Sequence, residues 1–542
     1  MRKQTMDMTV PPDLSKSGGT GPAVNQRPVY QDFMPPCNSA CPAGENIQGW
    51  LALAHEKRYH DAWQLLIENN PMPAVHGRVC YHPCESGCNR EQVDGAVSIH
   101  QIERFLGDMA IEQGWQPNYT SRKTGKRVLV VGAGPSGLSA AYHLARMGHT
   151  VEIRDAGTRP GGMMYFGIPA YRLPRDILMA EIQRIQRMGV KITLNHKVED
   201  LQKEKEEGAF DAVFVAVGAH ISRKVDIPAR EAGRILDAVS YLREVGEGQR
   251  PMLGRKVAVY GGGNTAMDAA RTAKRLGAEE AVIIYRRDID HMPAHKFEAE
   301  EAMEEGVKIN WLRTISEVEL NQIKIEKMEL DENGRPQPTG EYETLEADAV
   351  ILALGQNIDS ELMQSIAEIE FSTDGTVQVD EHMMTGHTGI FAGGDMVPSE
   401  RTVTIATGHG KHAARNIHAF LSGHVFTPKS KTPVVPLDAL HIWYYTDTEQ
   451  TLQPVVPPEQ RTQSFDEVLG NLTEEEVRYE VRRCYSCGNC FECDGCYGAC
   501  PEDAIIKLGK GRFYQIDYSK CTGCSACVLQ CPTAAIHMTD KA

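Results

Sequence analysis

Arg127-Val-Leu-Val-Val-Gly-Ala-Gly-Pro-Ser-Gly137 is the stretch from which the fold is read. An apolar, largely β-branched run empties into Gly132-x-Gly134-x-x-Gly137, and a helical pattern follows to Met147. That order predicts a buried parallel strand, a tight turn and a helix. The first glycine makes the turn, and the second lets backbone approach a pyrophosphate. The helix N-terminus supplies N–H donors and the positive end of its dipole. Thr150-Val-Glu-Ile-Arg-Asp155 reads as the next strand. Asp155 closes it 18 residues after the third glycine, placed to accept from ribose hydroxyls. Gly132, Gly134, Pro135, Gly137 and Asp155 are the first candidate dinucleotide-binding residues.

The same order recurs at Lys256-Val-Ala-Val-Tyr-Gly-Gly-Gly-Asn-Thr-Ala266, with a helix to about Leu276 and a strand at Ala281-Val-Ile-Ile-Tyr285. This second fingerprint ends in Ala266, which the motif permits, and adds Gly262, Gly263, Asn264 and Thr265 to the candidates. Arg286-Arg287 stands at the strand end where an NAD-specific site carries an acid. Guanidinium groups there pair with a 2′-phosphate, so NADPH is expected over NADH. The fold class is α/β, with two Rossmann-like nucleotide-binding domains.

Downstream of Asp155 lie Gly161-Gly162, and far along the chain Gly393-Gly394-Asp395 precedes Thr404-x-Ala406-x-Gly408-x-Gly410-x-x-Ala413. This pairing resembles the two-dinucleotide-binding flavoproteins. The resemblance implies FAD at the first fingerprint, with Asp395 at the ribityl and pyrophosphate region and the helix from Thr404 facing the isoalloxazine. Gly161, Gly162, Gly394, Asp395 and Thr404 join the candidate site on that basis.

Fifteen cysteines fall in two clumps, five between 37 and 88 and ten between 484 and 531. Disulfide scaffolds are not distributed that way. Cys490-x2-Cys493-x2-Cys496-x3-Cys500-Pro501 and Cys521-x2-Cys524-x2-Cys527-x3-Cys531-Pro532 both match the bacterial ferredoxin run in full. In that run the fourth cysteine crosses over. Cys490, Cys493, Cys496 and Cys531 are expected on one [4Fe-4S] cluster, with Cys521, Cys524, Cys527 and Cys500 on the other. Zinc is disfavoured, because its sites seldom use three closely spaced thiolates followed by Cys-Pro twice. Cys484 and Cys487 extend the rhythm upstream without an assigned role.

The N-terminal set is Cys37-x3-Cys41-Pro42 with Cys80-x3-Cys84-x3-Cys88. Together with the flavin and nicotinamide domains behind it, with Gly-Ile-Pro at 167–169 and Tyr-Arg-Arg-Asp at 285–288, it resembles the NADPH-oxidising small subunit of bacterial glutamate synthase. The same unit occurs in dihydropyrimidine dehydrogenase and transhydrogenase-type bifurcating flavoproteins. The resemblance implies a [4Fe-4S] cluster on Cys41, Cys80 and Cys84 with Glu103 as fourth ligand. It implies a second cluster on Cys37, Cys88 and two upstream cysteines. Arg27 to Pro36 contains none, so at least one N-terminal cluster is expected and the use of Cys37 and Cys88 is left open. The ferredoxin tail is similar to that of NAD(P)H:acceptor flavoproteins of dissimilatory sulfur metabolism and of nicotinamide-reducing subunits of 2-oxoacid oxidoreductases.

Seven segments follow. They are an extended Pro/Gly-rich arm at 1–30, a helical Fe-S domain at 31–120, the FAD domain at 121–250 and again at 347–425, and an inserted NAD(P)H domain at 251–346. A linker at 426–480 and a ferredoxin-like α+β domain at 481–542 complete the chain. In this scheme Ala349-Val-Ile-Leu marks the return to the first nucleotide domain.

A formal charge of -16 argues against a nucleic-acid partner. No stretch approaches the roughly 20 apolar residues of a spanning helix, and no signal-peptide pattern opens the chain, so a cytoplasmic location is expected. The expected activity is hydride transfer between NAD(P)H and FAD, then one-electron transfer through [4Fe-4S] clusters to or from a redox partner or larger catalytic subunit. A homodimer is compatible with this. A disulfide reductase needs Cys-x-x-Cys near its flavin, and no cysteine lies between 89 and 483. No catalytic acid–base pair is required for hydride transfer.

Overall fold

The computed structural model describes residues 25–222, 228, 234–428 and 432–540. Residues 1–24 of the expected arm lie outside the described residues.

Two five-stranded parallel sheets form the body. In the first, strands run in the order Ile390–Ala392, Ala212–Val215, Arg127–Val131, Thr150–Arg154, Lys191–Thr193. Val128, Leu129 and Val130 are fully buried. That is the burial a parallel strand takes when helices cover both faces of its sheet. Helix Pro135–Arg146 starts at the strand's end, with Gly134 as an extended N-cap and Pro135 in the first turn. Helix Val403–Leu421 packs against it, capped by the Thr402 hydroxyl, which accepts from the Ile405 N–H at 3.1 Å.

The second sheet runs Lys308–Trp311, Glu280–Tyr285, Lys256–Tyr260, Ala349–Leu352, Arg234–Asp237. An antiparallel layer, Arg313–Val318, Gln322–Leu330 and Pro336–Glu346, is appended to it. Strand Ala349–Leu352 therefore does not rejoin the first sheet. It pairs with Val257–Tyr260 on one side and with Arg234–Asp237 on the other. The first sheet resumes only at Ile390–Ala392. An apolar four-residue strand buried on both faces suits either sheet, and only pairing decides between them.

Helices Ile47–His55, Tyr59–Leu66 and Ile99–Glu112 build the N-terminal unit around Trp50, Leu51, Leu66, Ile102 and Leu106, and helix Pro73–Val79 packs on Ile99–Glu112 while setting Val75 and Val79 into the core of the first sheet. The end of the stretch read as a linker is part of the core around Trp50. Helix Glu474–Arg483 sets Val477 and Val481, with Leu472, into the same cluster. A capping box of Thr473 and Glu476 opens that helix. Buried Glu480 accepts from Ser98 N–H at 3.0 Å and pairs with Arg483 at 2.9 Å. Arg483 in turn donates to the carbonyls of Ala96 and Gly95. The chain's two ends meet again in the ferredoxin-like unit, where Gln26–Tyr30 pairs antiparallel with Ile536–Asp540.

Candidate functional site

A cavity of about 1230 Å³ opens between the two sheets, and both glycine loops line it. The three glycines of the first loop do different work. A methyl on Gly132, at φ +108°, would lie 2.3 Å from the Ala216 carbonyl oxygen, and one on Gly137 would lie 1.9 Å from the Gly132 oxygen. These two let strand and helix approach. A methyl on Gly134 meets nothing within 4 Å. The room it leaves faces the cavity at a helix N-terminus, where a pyrophosphate is favoured. In the second loop Gly261 and Gly262 are similarly crowded, by Ala353 and the Tyr285 ring, whereas Gly263 is open.

Asp155 lines the cavity with its carboxylate held from behind: it accepts from Ala133 N–H at 2.6 Å and Gly157 N–H at 2.7 Å. Pro135, Gly162, Gly394, Asp395, Gly262, Asn264, Thr265, Arg286 and Arg287 share the wall. Burial pushes the Asp395 carboxyl up to about 6, against the pull of Arg401. Arg286 is exposed and Arg287 half-buried, and among the described residues neither forms an ion pair with a carboxylate. Gly161 and Thr404 do not line the cavity. Gly161 donates its N–H to the Ala133 carbonyl at 2.9 Å, fixing the loop. Thr404 is buried, and its hydroxyl lies near the Cys80 sulfur with no hydrogen-bond partner in normal geometry among the described residues.

Val79 and Tyr81, on either side of Cys80, are themselves part of the cavity wall. Tyr81 stacks on His295 with ring centroids 3.5 Å apart, and its hydroxyl accepts from Asn264 Nδ2 at 2.6 Å. The adjacency of Tyr81 to a cysteine is the only signal the sequence offers for this contact, and nothing in it says that the turn reaches another domain.

Behind that turn Cys41, Cys80, Cys84 and Glu103 come together. Cys80 lies beside Glu103, and Cys84 lies within electrostatic range of Cys80, Cys41 and Glu103. Burial pushes the Cys80 thiol up to about 12. Burial, with Glu45 next to it, holds the Glu103 carboxyl well above the usual range. Asn70 Nδ2 donates to both carboxylates, to Glu103 at 2.6 Å and Glu45 at 3.0 Å. Lys411 reaches in from helix Val403–Leu421, donating to Asn69 Oδ1 at 3.1 Å and to the Ala43 carbonyl. Burial brings Lys411 down to about 8. Glu45, Asn70 and Lys411 belong to no motif, so sequence reasoning does not find them.

In the C-terminal unit Cys490, Cys493 and Cys496 gather with Cys531, and Cys527 with Cys521 and Cys524. Cys500 packs against the same small core as Cys521. Tyr30, from the N-terminal strand, lies 3.2 Å from Cys496 Sγ. Cys37 and Cys88 stand apart from the Cys80 group and face Cys484 and Cys487.

Comparison with known proteins agrees with this layout. Residues 120–410 match the sequence model for the pyridine nucleotide-disulphide oxidoreductase family. Residues 29–115 match dihydropyrimidine dehydrogenase domain II, 4Fe-4S cluster, and residues 514–537 match a 4Fe-4S binding domain. The chain is 34% identical over 512 residues to the NADP(+)-dependent formate dehydrogenase subunit beta of Moorella thermoacetica, covering 85% of this chain and 71% of that one. It is 31% identical over 506 residues to the NADPH-Fe(3+) oxidoreductase subunit beta of Geobacter sulfurreducens, 84% and 75% covered. It is 33% identical over 418 residues to the glutamate synthase [NADPH] small chain of Escherichia coli, 71% and 89% covered. The glutamate synthase resemblance is thereby shown. The protein uses FAD and NAD(P)H with 4Fe-4S clusters at both ends, as an NAD(P)H oxidoreductase. Among the described residues no helix is long and apolar enough to cross a membrane. With two glycine loops opening on one cavity and its central 291 residues matched, the chain belongs to the pyridine nucleotide-disulphide oxidoreductase family.

Proposed function

We propose that this chain is the NADPH-oxidising, electron-distributing subunit of a larger cytoplasmic complex, passing electrons between NADPH and a redox protein partner. The observation that carries the reading is the Val79-Cys80-Tyr81 turn, whose Val79 and Tyr81 form part of the wall of the cavity lined by both dinucleotide loops, with Cys80, the proposed cluster ligand, between them. Relatives named as subunits or chains of formate dehydrogenase, Fe(3+) oxidoreductase and glutamate synthase support a partner. Self-association as a homodimer is compatible with it.

When bound, the flavin supplies the conversion between two-electron hydride chemistry and the one-electron chemistry of iron–sulfur clusters. Gly134, with Gly132 making the turn before it and Pro135 starting the helix after it, would leave room for its pyrophosphate at the helix N-terminus, and Asp155 would hold its ribose. Buried Asp395, beside Gly394, would take the ribityl region. Gly262, Gly263, Asn264 and Thr265 would cradle NADPH, with Arg286 and Arg287 on the 2′-phosphate. Cys41, Cys80, Cys84 and Glu103 would ligate the N-terminal cluster. Cys490, Cys493, Cys496 and Cys531 would ligate one C-terminal cluster and Cys500, Cys521, Cys524 and Cys527 the other.

Anaerobic titration tests the reading. NADPH should bleach the flavin and then raise a reduced-cluster EPR signal, at lower concentration than NADH. Replacing Arg286 and Arg287 by alanine should erase about 1.5–3 kcal/mol of NADPH preference, a change of about 10- to 150-fold. Equal affinity for both nucleotides in the unaltered protein would refute the arginine assignment, and an unreduced flavin would refute the whole.

A further inference from the structure

Four thiols are left without a role. Cys37 lies in the short helix Pro36–Ala40 and Cys88 just after Pro83–Ser86, both in the N-terminal unit. Cys484 caps the C-terminal end of helix Glu474–Arg483, and Cys487 follows in the next turn. The fold brings all four to one point. With Pro35, Leu51, Val97 and Ile99 they line a small, mainly apolar cavity. Cys37 is within electrostatic range of Cys484, Cys88 and Cys487, and Cys487 of Cys484 and Cys88. All four are free thiols.

N–H groups point at the sulfurs from outside. Ser486 N–H donates to Cys484 Sγ at 3.4 Å, and Asn89 Nδ2 to Cys487 Sγ at 3.5 Å. Asn89 is held in place by the Val435 carbonyl at 3.0 Å. The Glu480–Arg483 network fixes the helix end that delivers Cys484. Four sulfurs brought from two ends of a chain into one small, mainly apolar pocket is an arrangement for thiolate ligation of a metal.

We infer that Cys37, Cys88, Cys484 and Cys487 hold a further [4Fe-4S] cluster, with two ligands from each end of the chain. The C-terminal pair thereby replaces ligands that the segment before Cys37 lacks. The proposal rests on the electron-carrier reading above and extends it. Iron–sulfur ligation is favoured over zinc by what the pocket adjoins. Cys37 and Cys41 bracket one short helix and Cys84 and Cys88 another, so this pocket and the Cys80 group grow from the same two turns, inside the matched 4Fe-4S domain. On its other side Cys490 and Cys493 continue the spacing, and half-buried Tyr445 is within range of Cys484, Cys487 and Cys493. The site therefore bridges the cluster beside the flavin cavity and those of the ferredoxin-like unit. Loading exchanges four S–H bonds for four Fe–S bonds and releases four protons to solvent. The cubane core enters with its charge unchanged, so no oxidant or reductant is consumed.

The test is an iron count on the anaerobically purified full chain, reconstituted with equal parts of ferrous and ferric iron and with sulfide, which together supply the core without a further oxidant. The unaltered protein should hold ~16 iron per chain, four clusters of four, and Cys484→Ala/Cys487→Ala should hold ~12 with FAD content unchanged. Cys37→Ser/Cys88→Ser, acting from the other end, should lose the same share. NADPH should still bleach the flavin of the first variant while the reduced ferredoxin-cluster EPR signal is lost or slowed. An iron content of ~12 in the unaltered chain, or bound zinc that disappears with Cys484 and Cys487, would overturn the inference. Intact iron with an unreduced flavin would instead count against the function proposed above.

Discussion

Substituting alanine at Gly134 and at Gly137 should separate binding from folding, because one added methyl has opposite surroundings at the two positions. Gly134 sits at φ -76° and ψ -177°, extended backbone open to any residue, and its methyl meets nothing within 4 Å. Stripped of flavin, Gly134→Ala should match the parent or exceed it by about 0.4–1 kcal/mol, since alanine has less freedom to lose on folding. The methyl of Gly137→Ala would stand 1.9 Å from the Gly132 carbonyl oxygen and 3.1 Å from Val130 Cγ1. Neither neighbour is a flexible side-chain end, so helix and strand must part, at about 1–3 kcal/mol. FAD affinity should fall in both variants. In Gly134→Ala the space lost is the pyrophosphate's, and about 2–3 kcal/mol of overlap corresponds to about 30- to 150-fold weaker binding. Denaturant unfolding of the flavin-free proteins and flavin-fluorescence titration read the two quantities. If Gly134→Ala destabilised the flavin-free protein as much as Gly137→Ala, or bound FAD like the parent, the assignment of the glycines would fail.

Asp395→Asn should stabilise the flavin-free protein in a pH-dependent way. The folded carboxyl titrates near 6 against an ordinary 3.8, so the cost of ionising it in place builds across that window and is complete above about 6. The gain should be roughly 1–3 kcal/mol at neutral pH and vanish below about 4, as paired unfolding curves would show. Arg483→Ala leaves Glu480 buried without its charge partner and should cost about 3–5 kcal/mol, seen as faster proteolysis between residues 426 and 473. Thr404→Val should leave FAD content unchanged while shifting the N-terminal cluster's EPR signal or potential, because its hydroxyl lies near Cys80. A loss of flavin with an unmoved cluster signal would place Thr404 in the dinucleotide site instead.

Local chemistry makes much of this protein legible from its amino acids alone. A glycine triplet between an apolar strand and a helix has few physical solutions, and Cys-x2-Cys-x2-Cys-x3-Cys-Pro written twice has fewer still. Both patterns act over a dozen residues, within which backbone geometry dictates the side-chain arrangement. What tertiary structure alone decides are meetings between distant segments. Ala349–Leu352 joins the second sheet through pairing that its own apolar pattern cannot specify. Tyr81 reaches across to Asn264, and Lys411 to the Cys41 side of the helical unit. Cys484 and Cys487 look superfluous in a linear reading, because the thiols they face lie at the far end of the chain. Sequence sets the period and chemistry of each segment, whereas which segments share a pocket depends on how every core between them packs.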